Sequence, residues 1–346
     1  MKPQNRLERP TIVISGSLAF DHIMTFPGSF QDHIIAGKVR VLSVSFLFDS
    51  LRRQRGGVAG NIAYSFALLG ERPALVGAGG SDFEDYRATF ESLGIDMSGV
   101  SEVVEELTGS SFMIADQSGN QIAGFYPGAS KVSDQISVLR LGHDAIVGIV
   151  APTTLEAMRL HAQEFAQCGC RLVYDASQQV VSLSADDLRA GIEQAWCVIG
   201  SDYELAVIAQ KTGFTVEQLA DKVPLVGMTL GKLGSELFAG GRRIPIPAAA
   251  PRQVGEPTGG GDAYRAGLIK GLMLGLPLEI AGRMGSLAAT YVVERHGPQE
   301  HYFNAEEFIA RFDAEFPDYA SAVETSALKS PVARDKAASY LAYFEH

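Results

Sequence analysis

Five short stretches of the chain, TIVISGS (11–17), ALVGAGG (74–80), RLVYDAS (171–177), WCVIGS (196–201) and LVGMTL (225–230), are apolar on successive positions. Such runs predict strands covered on both faces, as in a parallel sheet. Between them, NIAYSFALLG (61–70), DFEDYRATFESLG (82–94), TLEAMRLHAQEFAQ (154–167) and DYELAVIAQKTG (202–213) repeat apolar residues near every 3.6 positions, and most stop at glycine. That spacing and that stop predict helices. Strands alternating with helices predict an α/β fold, a doubly wound and mostly parallel sheet flanked by helices, with ligands at the C-terminal strand ends.

Two stretches break the alternation. RVLSVSFLF (40–48) and the pair SSFMIAD (110–116) and QIAGFYP (121–127) read as strands of another sheet, the pair joined by a turn at Gln117, Ser118, Gly119 and Asn120. They are expected to form a small β lid over the ligand edge, with lid strands near 18–48 and 108–127; the alternative is that they extend the main sheet. Helices are expected over 278–295 and 305–316, and a helical tail over 317–346. No Pro- or Ser-rich linker divides the chain, so one continuous unit over 11–316 is expected.

Composition narrows the chemistry. The 346 residues are 46% hydrophobic and carry a formal charge of −11. Acidity argues against a nucleic-acid or anionic-membrane surface, because phosphate backbones demand basic patches. It leaves room for a small anion held by a few local donors. No apolar run reaches spanning length, and MKPQNRLERP lacks the apolar core of a signal peptide. Cys168, Cys170 and Cys197 are odd in number and match no zinc spacing, which fits a reducing, cytoplasmic setting.

The candidate chemistry lies in EPTGGGDAYRAGL (256–268). N–H groups at a helix start point outward with partial positive charge, and glycine lets a ligand approach closely. Gly259, Gly260 and Gly261 therefore suit an anion, best a phosphoryl group in transit. Asp262 beside them suits a base that takes a proton from an attacking hydroxyl. A glycine turn with a helix cap would explain the same residues. GGVAGNIAYSFALLG (56–70) opens a second helix in the same way, with Gly57 at its mouth and Asn61 offering both donor and acceptor. Asp21 follows the first strand. Asp21 and Asn61 are suited to the vicinal hydroxyls of a sugar, or alternatively are a loop acid and a cap. No P-loop, H-E-x-x-H or G-x-S-x-G elbow is present.

The two glycine segments, in this order and separation, resemble the two signatures of the PfkB, or ribokinase-like, sugar kinases. A closer likeness to bacterial adenosine kinases rests on GSLAFDHIMTFPG (16–28), SVSFLFD (43–49), FYPGA (125–129), DASQQ (175–179), SDYEL (201–205) and RMGSLAATYVVERHGPQEH (283–301). The resemblance implies a ribokinase-like fold and phosphoryl transfer from ATP to a nucleoside 5′-hydroxyl, adenosine to AMP. Asp262 would be the base and Gly259, Gly260 and Gly261 the anion hole. Asp21, Gly57 and Asn61 would hold the ribose. Ser45, Phe112 and Phe125 would line the base pocket, with Gln178 and Gln179 in reach of the nucleoside. Ser201, Thr229, Gly231 and Gly234 would serve the ATP site, and Glu204 would organise Mg²⁺ largely through water. Glu256, Gly260 and Ser201 depart from the family's usual Asp, Ala and Asn. A kinase for another nucleoside or a free sugar such as ribose or fructose, and a non-catalytic binding protein on the same scaffold, are the alternatives. A homodimer through the lid is a further expectation.

Overall fold

The computed structural model describes residues 10–33, 44–118, 120–255 and 257–342. Its strands, in chain order, are β1 (Ile12–Ser15), β2 (Ala19–Thr25), β3 (Ser50–Gly56), β4 (Ala74–Gly80), β5 (Asp96–Val103), β6 (Gly109–Ala115) and β7 (Gln121–Tyr126). They continue with β8 (Val147–Val150), β9 (Arg171–Tyr174), β10 (Cys197–Ser201), β11 (Leu225–Thr229), β12 (Ser235–Ala239) and β13 (Arg242–Ile246).

Nine of these strands form one sheet in the order β13-β12-β11-β10-β9-β8-β1-β4-β5. Pairing is parallel from β5 to β11 and antiparallel at β12 and β13. The apolar runs arise because both faces are covered. Ile12 and Ile14 enter one core and Val13 the other; Val173 and Ile199 likewise oppose Leu172 and Val198. A strand's side chains alternate between faces, so each strand feeds two cores. Helices Val58–Leu68, Gly260–Met273 and Leu278–Val293 cover the first face, and Leu155–Cys168, Ala185–Gln194 and Asp202–Thr212 the second. Residues Val323, Leu328, Val332 and Leu341 of the final segment join the first core. The Glu71–Lys270 ion pair, wholly buried at 2.7 Å, also holds that segment: Glu71 accepts from the Val332 N–H and Lys270 donates to the Ser330 carbonyl.

Four strands form the lid, in the order β3-β2-β6-β7. The expected hairpin is present as β6 and β7, with Ala115 opposite Gln121. The strand expected over 40–48 is corrected. Residues 40–43 lie outside the described residues, and 44–48 form no strand; the lid's edge is β3, SLRRQRG. An edge strand that is only partly covered tolerates charge, so hydrophobicity points to the wrong segment. Strands β5, β8, β12 and β13 also fall outside the expected set. The β12–β13 turn places Gly240 and Gly241 at φ 54° and 70°, a primed hairpin that the Gly-Gly pair signals.

β1 lies between β4 and β8, where the winding reverses. Ligands of open α/β sheets bind beyond such a switch point. Here it ends in Ser17 and Pro152, joined by the Ser17 N–H to the Pro152 carbonyl at 2.8 Å.

Candidate active site

A cavity of about 910 Å³ opens at this switch point, under the lid. The glycine segment 259–261 stands at one part of its wall, because the helix Gly260–Met273 points its N-terminus there. Gly259 is the N-cap at φ 84°, a left-handed conformation that favours glycine; a Cβ would also come within 2.5 Å of Pro298 Cβ. Gly259 and Gly261 line the cavity. Gly260 does not: it faces Val293 and its N–H turns to the Pro257 carbonyl at 3.0 Å. The next amides, of Gly261 and Asp262, find no acceptor among the described residues.

Asp262 is 8% exposed. Burial pushes its carboxyl up to about 6, against the opposing pull of Arg265 and a hydrogen bond from Asn61. Asn61 Nδ2 donates to Asp262 Oδ2 at 2.8 Å, and Asn61 Oδ1 accepts from Gln299 Nε2 at 2.9 Å. Gln299 Nε2 also reaches Tyr86 OH, which donates to the Gly56 carbonyl at 2.9 Å. Asn61 is no cap: Gly57 is the N-cap, and Asn61 sits in the helix's second turn with both polar ends engaged. Its place is beside the carboxylate, where it lines the cavity with one Nδ2 hydrogen and one Oδ1 lone pair still free of these two bonds.

Arg265 is absent from the expected site. One turn along the helix from Asp262, it is 4% exposed and lines the cavity. Its Nε lies 2.6 Å from Asp175 Oδ2 and its Nη2 donates to Asp175 Oδ1 at 2.7 Å. Asp175 is fully buried just past β9, and burial raises its proton affinity although Arg265 opposes this. The Asp-x-x-Arg spacing at 262–265 carried the signal, since positions three apart share a helix face. Gln299 carried no signal: its partner Asn61 is 238 positions away.

The lid brings Asp21, Ser111 and Phe125 to the cavity. A Cβ at Gly56 would lie 2.3 Å from the Asp21 carboxylate and would shift it. Phe112 is corrected by register. Ser111 pairs with Phe125, and Phe112 with Gly124, so Phe112 falls on the opposite face and stacks on His22 at 4.7 Å. Ser45 is exposed on coil, away from the cavity.

Gln178 and Gln179 line the cavity after β9. Ser177 there holds φ 40°, a strained value for a non-glycine residue, and donates to Gln178 Oε1 at 2.9 Å, while Gln179 donates to the Thr153 carbonyl at 2.8 Å. Across the floor, Ser201, Glu204, Thr229 and Gly231 also line it. Ser201 and Glu204 form a reciprocal capping box: Glu204 N–H donates to Ser201 Oγ, and Ser201 N–H to Glu204 Oε2 at 2.7 Å. Ser in place of Asn thus keeps a helix cap. Gly234 is off the wall. It turns the chain at φ 95°, where a Cβ would meet the Ile246 carbonyl at 2.1 Å. Glu256 lies outside the described residues.

Among the described residues no three Asp, Glu, His or Cys side chains converge as metal ligands, and no helix is long and apolar enough to cross a membrane. The arrangement offers a buried carboxylate of raised proton affinity, helix amides open to an anion, and a lid that can cover both.

Residues 19–303 match the pfkB family carbohydrate kinase model. A nucleoside kinase of Methanothermobacter thermautotrophicus is 32% identical over 277 residues, 77% of this chain and 87% of that protein. The Burkholderia thailandensis nucleoside kinase in complex with inosine superposes with a TM-score of 0.81 at 33% identity, covering 88% of this chain and 98% of that one. The same protein in complex with ADP-inosine gives 0.79, covering 88% and 96%.

Proposed function

The chain belongs to the pfkB family of carbohydrate kinases, and from that premise we propose that it transfers the γ-phosphoryl group of ATP to the 5′-hydroxyl of a nucleoside, with adenosine the first acceptor to test. One observation carries the reading: a single cavity is walled by Asp262 and the amides of its helix on one side and by Asp21, Ser111 and Phe125 of the lid on another. The Burkholderia relative, structured with inosine, supports a purine nucleoside as acceptor.

Asp262 accepts the proton of the 5′-hydroxyl as that oxygen bonds to the γ-phosphorus. The bond from the γ-phosphorus to the bridging oxygen breaks, and ADP leaves with the electron pair. Asn61, held by Gln299, keeps one carboxylate oxygen occupied and so aims the other. The Gly261 and Asp262 amides receive the charge that spreads over the moving group. Phe125 offers a ring for the base to stack on, and closure of the lid excludes water that would otherwise take the phosphoryl.

Mg²⁺, when bound, neutralises charge on the ATP phosphates. The fit is limited but sufficient. Glu204 lines the cavity with one oxygen engaged in its cap, and Mg²⁺ keeps most of its waters, so it needs few protein ligands. A reducing, cytoplasmic setting belongs to the same proposal, since Cys168, Cys170 and Cys197 are free thiols. So does pairing of two copies through the lid, whose outward side exposes Leu51, Phe112 and Ile122; light scattering reads the mass.

The deciding experiment is ADP release with adenosine, inosine, cytidine, ribose and fructose as acceptors. A purine nucleoside is expected to exceed ribose in kcat/KM by at least about tenfold, since base stacking contributes roughly 1–3 kcal/mol. Parity with ribose would make the protein a sugar kinase. Silence with every acceptor would leave a binding protein.

A further inference from the structure

The phosphoryl group gathers negative charge where Asp262 and Glu204 already supply some. Among the described residues that line the cavity, Arg265 alone is a cation. Its guanidinium is divided in use. Nη2 donates to Asp175 Oδ1 at 2.7 Å, and Nε lies 2.6 Å from Asp175 Oδ2 as an ion-pair contact without hydrogen-bond geometry. Nη1 is left over. It lies 3.7 Å from Asp262 Oδ1, too far for a hydrogen bond, and packs against Gly261, where a Cβ would come within 2.7 Å of it. The spare donor thus stands between the base and an amide of the open turn.

We infer that Arg265 is a catalytic residue whose Nη1 donates to a γ-phosphoryl oxygen during transfer. The inference rests on the reading of Asp262 and its turn as the transfer site. Asp175 fixes the planar fork before the reaction, so the donor needs no reorganisation when charge develops. The buried pair is an oriented dipole with its positive end at the cavity. Lysine could not substitute, because one ammonium cannot grip Asp175 and reach the cavity in two fixed directions. The same contact explains Gly261, since a side chain there would push Nη1 out of line.

The test uses a planar mimic of the moving group. Binding of ADP to the full-length protein with adenosine is measured by calorimetry, with and without aluminium fluoride. The wild type should bind ADP at least about a hundredfold more tightly with fluoroaluminate, in keeping with the gain of transition-state analogues. Arg265→Met combined with Asp175→Asn removes the pair without stranding a buried charge. That variant should lose nearly all of the tightening while ADP affinity alone stays within about threefold. Its kcat should fall about a hundredfold, the usual cost of one such donor, with little change in the adenosine KM. Asp175→Asn alone keeps the donor but weakens the hold on its fork, so it should lose less of the tightening than the double variant. If the double variant does not fold, Arg265→Lys decides, with an expected loss of at least about tenfold. Full tightening in either arginine variant overturns the role of Arg265 alone. No tightening in the wild type overturns the transfer-site reading beneath it.

Discussion

The helices Val58–Leu68 and Gly260–Met273 both open on a glycine with positive φ, 85° at Gly57 and 84° at Gly259. Each glycine sits where a Cβ would come within 2.5 Å of another atom. The difference lies in the amides. In the first helix the Val58 N–H is taken by Ser17 Oγ and the Ala59 N–H by the Ser17 carbonyl, at 3.1 and 3.2 Å. In the second, the Gly261 and Asp262 amides find no such partner among the described residues. The Gly60 N–H of the first helix is likewise without an acceptor among the described residues, and the Gly260 N–H of the second is taken, so equal sequence signals mark one turn with a single open amide and one with two adjacent open amides. A glycine-led helix start reports a sharp bend; the open turn, with two adjacent open amides, is the better site for an anion.

The largest effect should come from the open turn. Asp262→Asn is expected to lower kcat at least about a hundredfold with modest change in nucleoside KM, since loss of a general base costs 10²–10⁴-fold. The same variant should be the more stable protein. The Asp262 carboxyl is raised from 3.8 in the unfolded chain to about 6 in the fold. Folding thus disfavours its charged form, and the penalty is full above pH ~6 and fades as pH falls from ~6 towards ~4. Wild type should melt below Asp262→Asn at pH 8, by a penalty of about 2–3 kcal/mol at most, and match it near pH 4. Near-normal turnover, or a melting difference that grows in acid, would close the open turn as a chemical site.

Gly261→Ala and Gly57→Ala sharpen the contrast. Alanine at 261 needs no positive φ and meets only the Arg265 guanidinium, so melting should hold while kcat falls about tenfold. Alanine at 57 is strained in φ and would meet the Ser17 carbonyl, so stability should fall by about 1–3 kcal/mol. Steady-state kinetics beside calorimetric melting separates the two. The lid gives a similar pair. Phe125→Ala should raise nucleoside KM about tenfold by loss of stacking, whereas Phe112→Ala, on the outward face, should stay within about twofold.

Much of this was legible in the chain, and the limits have physical causes. Buried parallel strands announce themselves because both faces must be apolar. The open turn and its acid are local in sequence, so EPTGGGDAYRAGL displays them together. β3 was hidden because an edge strand can carry Arg52, Arg53 and Arg55. The opposite facing of Phe112 and Phe125 depends on register, which composition does not reveal. Asp175 and Gln299 act on residues 90 and 238 positions away, and no local pattern shows such a pairing.

The smallest effect tests that long-range pairing. Gln299 Nε2 donates to Asn61 Oδ1, so the Asn61 amide must turn Nδ2 to Asp262. With Gln299→Leu only the Asp262 carboxylate still favours that orientation. Part of the population can present Oδ1 to the carboxylate, which repels it, and kcat should fall severalfold. Gln299→Glu should do worse, because an ionised carboxylate only accepts. The introduced carboxylate would then compete with Asp262 for Asn61 Nδ2, and wherever it won Oδ1 would face Asp262. The two variants remove the same hydrogen bond and differ in which way Asn61 is driven. A kcat for Gln299→Glu at or above that of Gln299→Leu, with both proteins folded, would mean that Asn61 acts on something other than the Asp262 carboxylate.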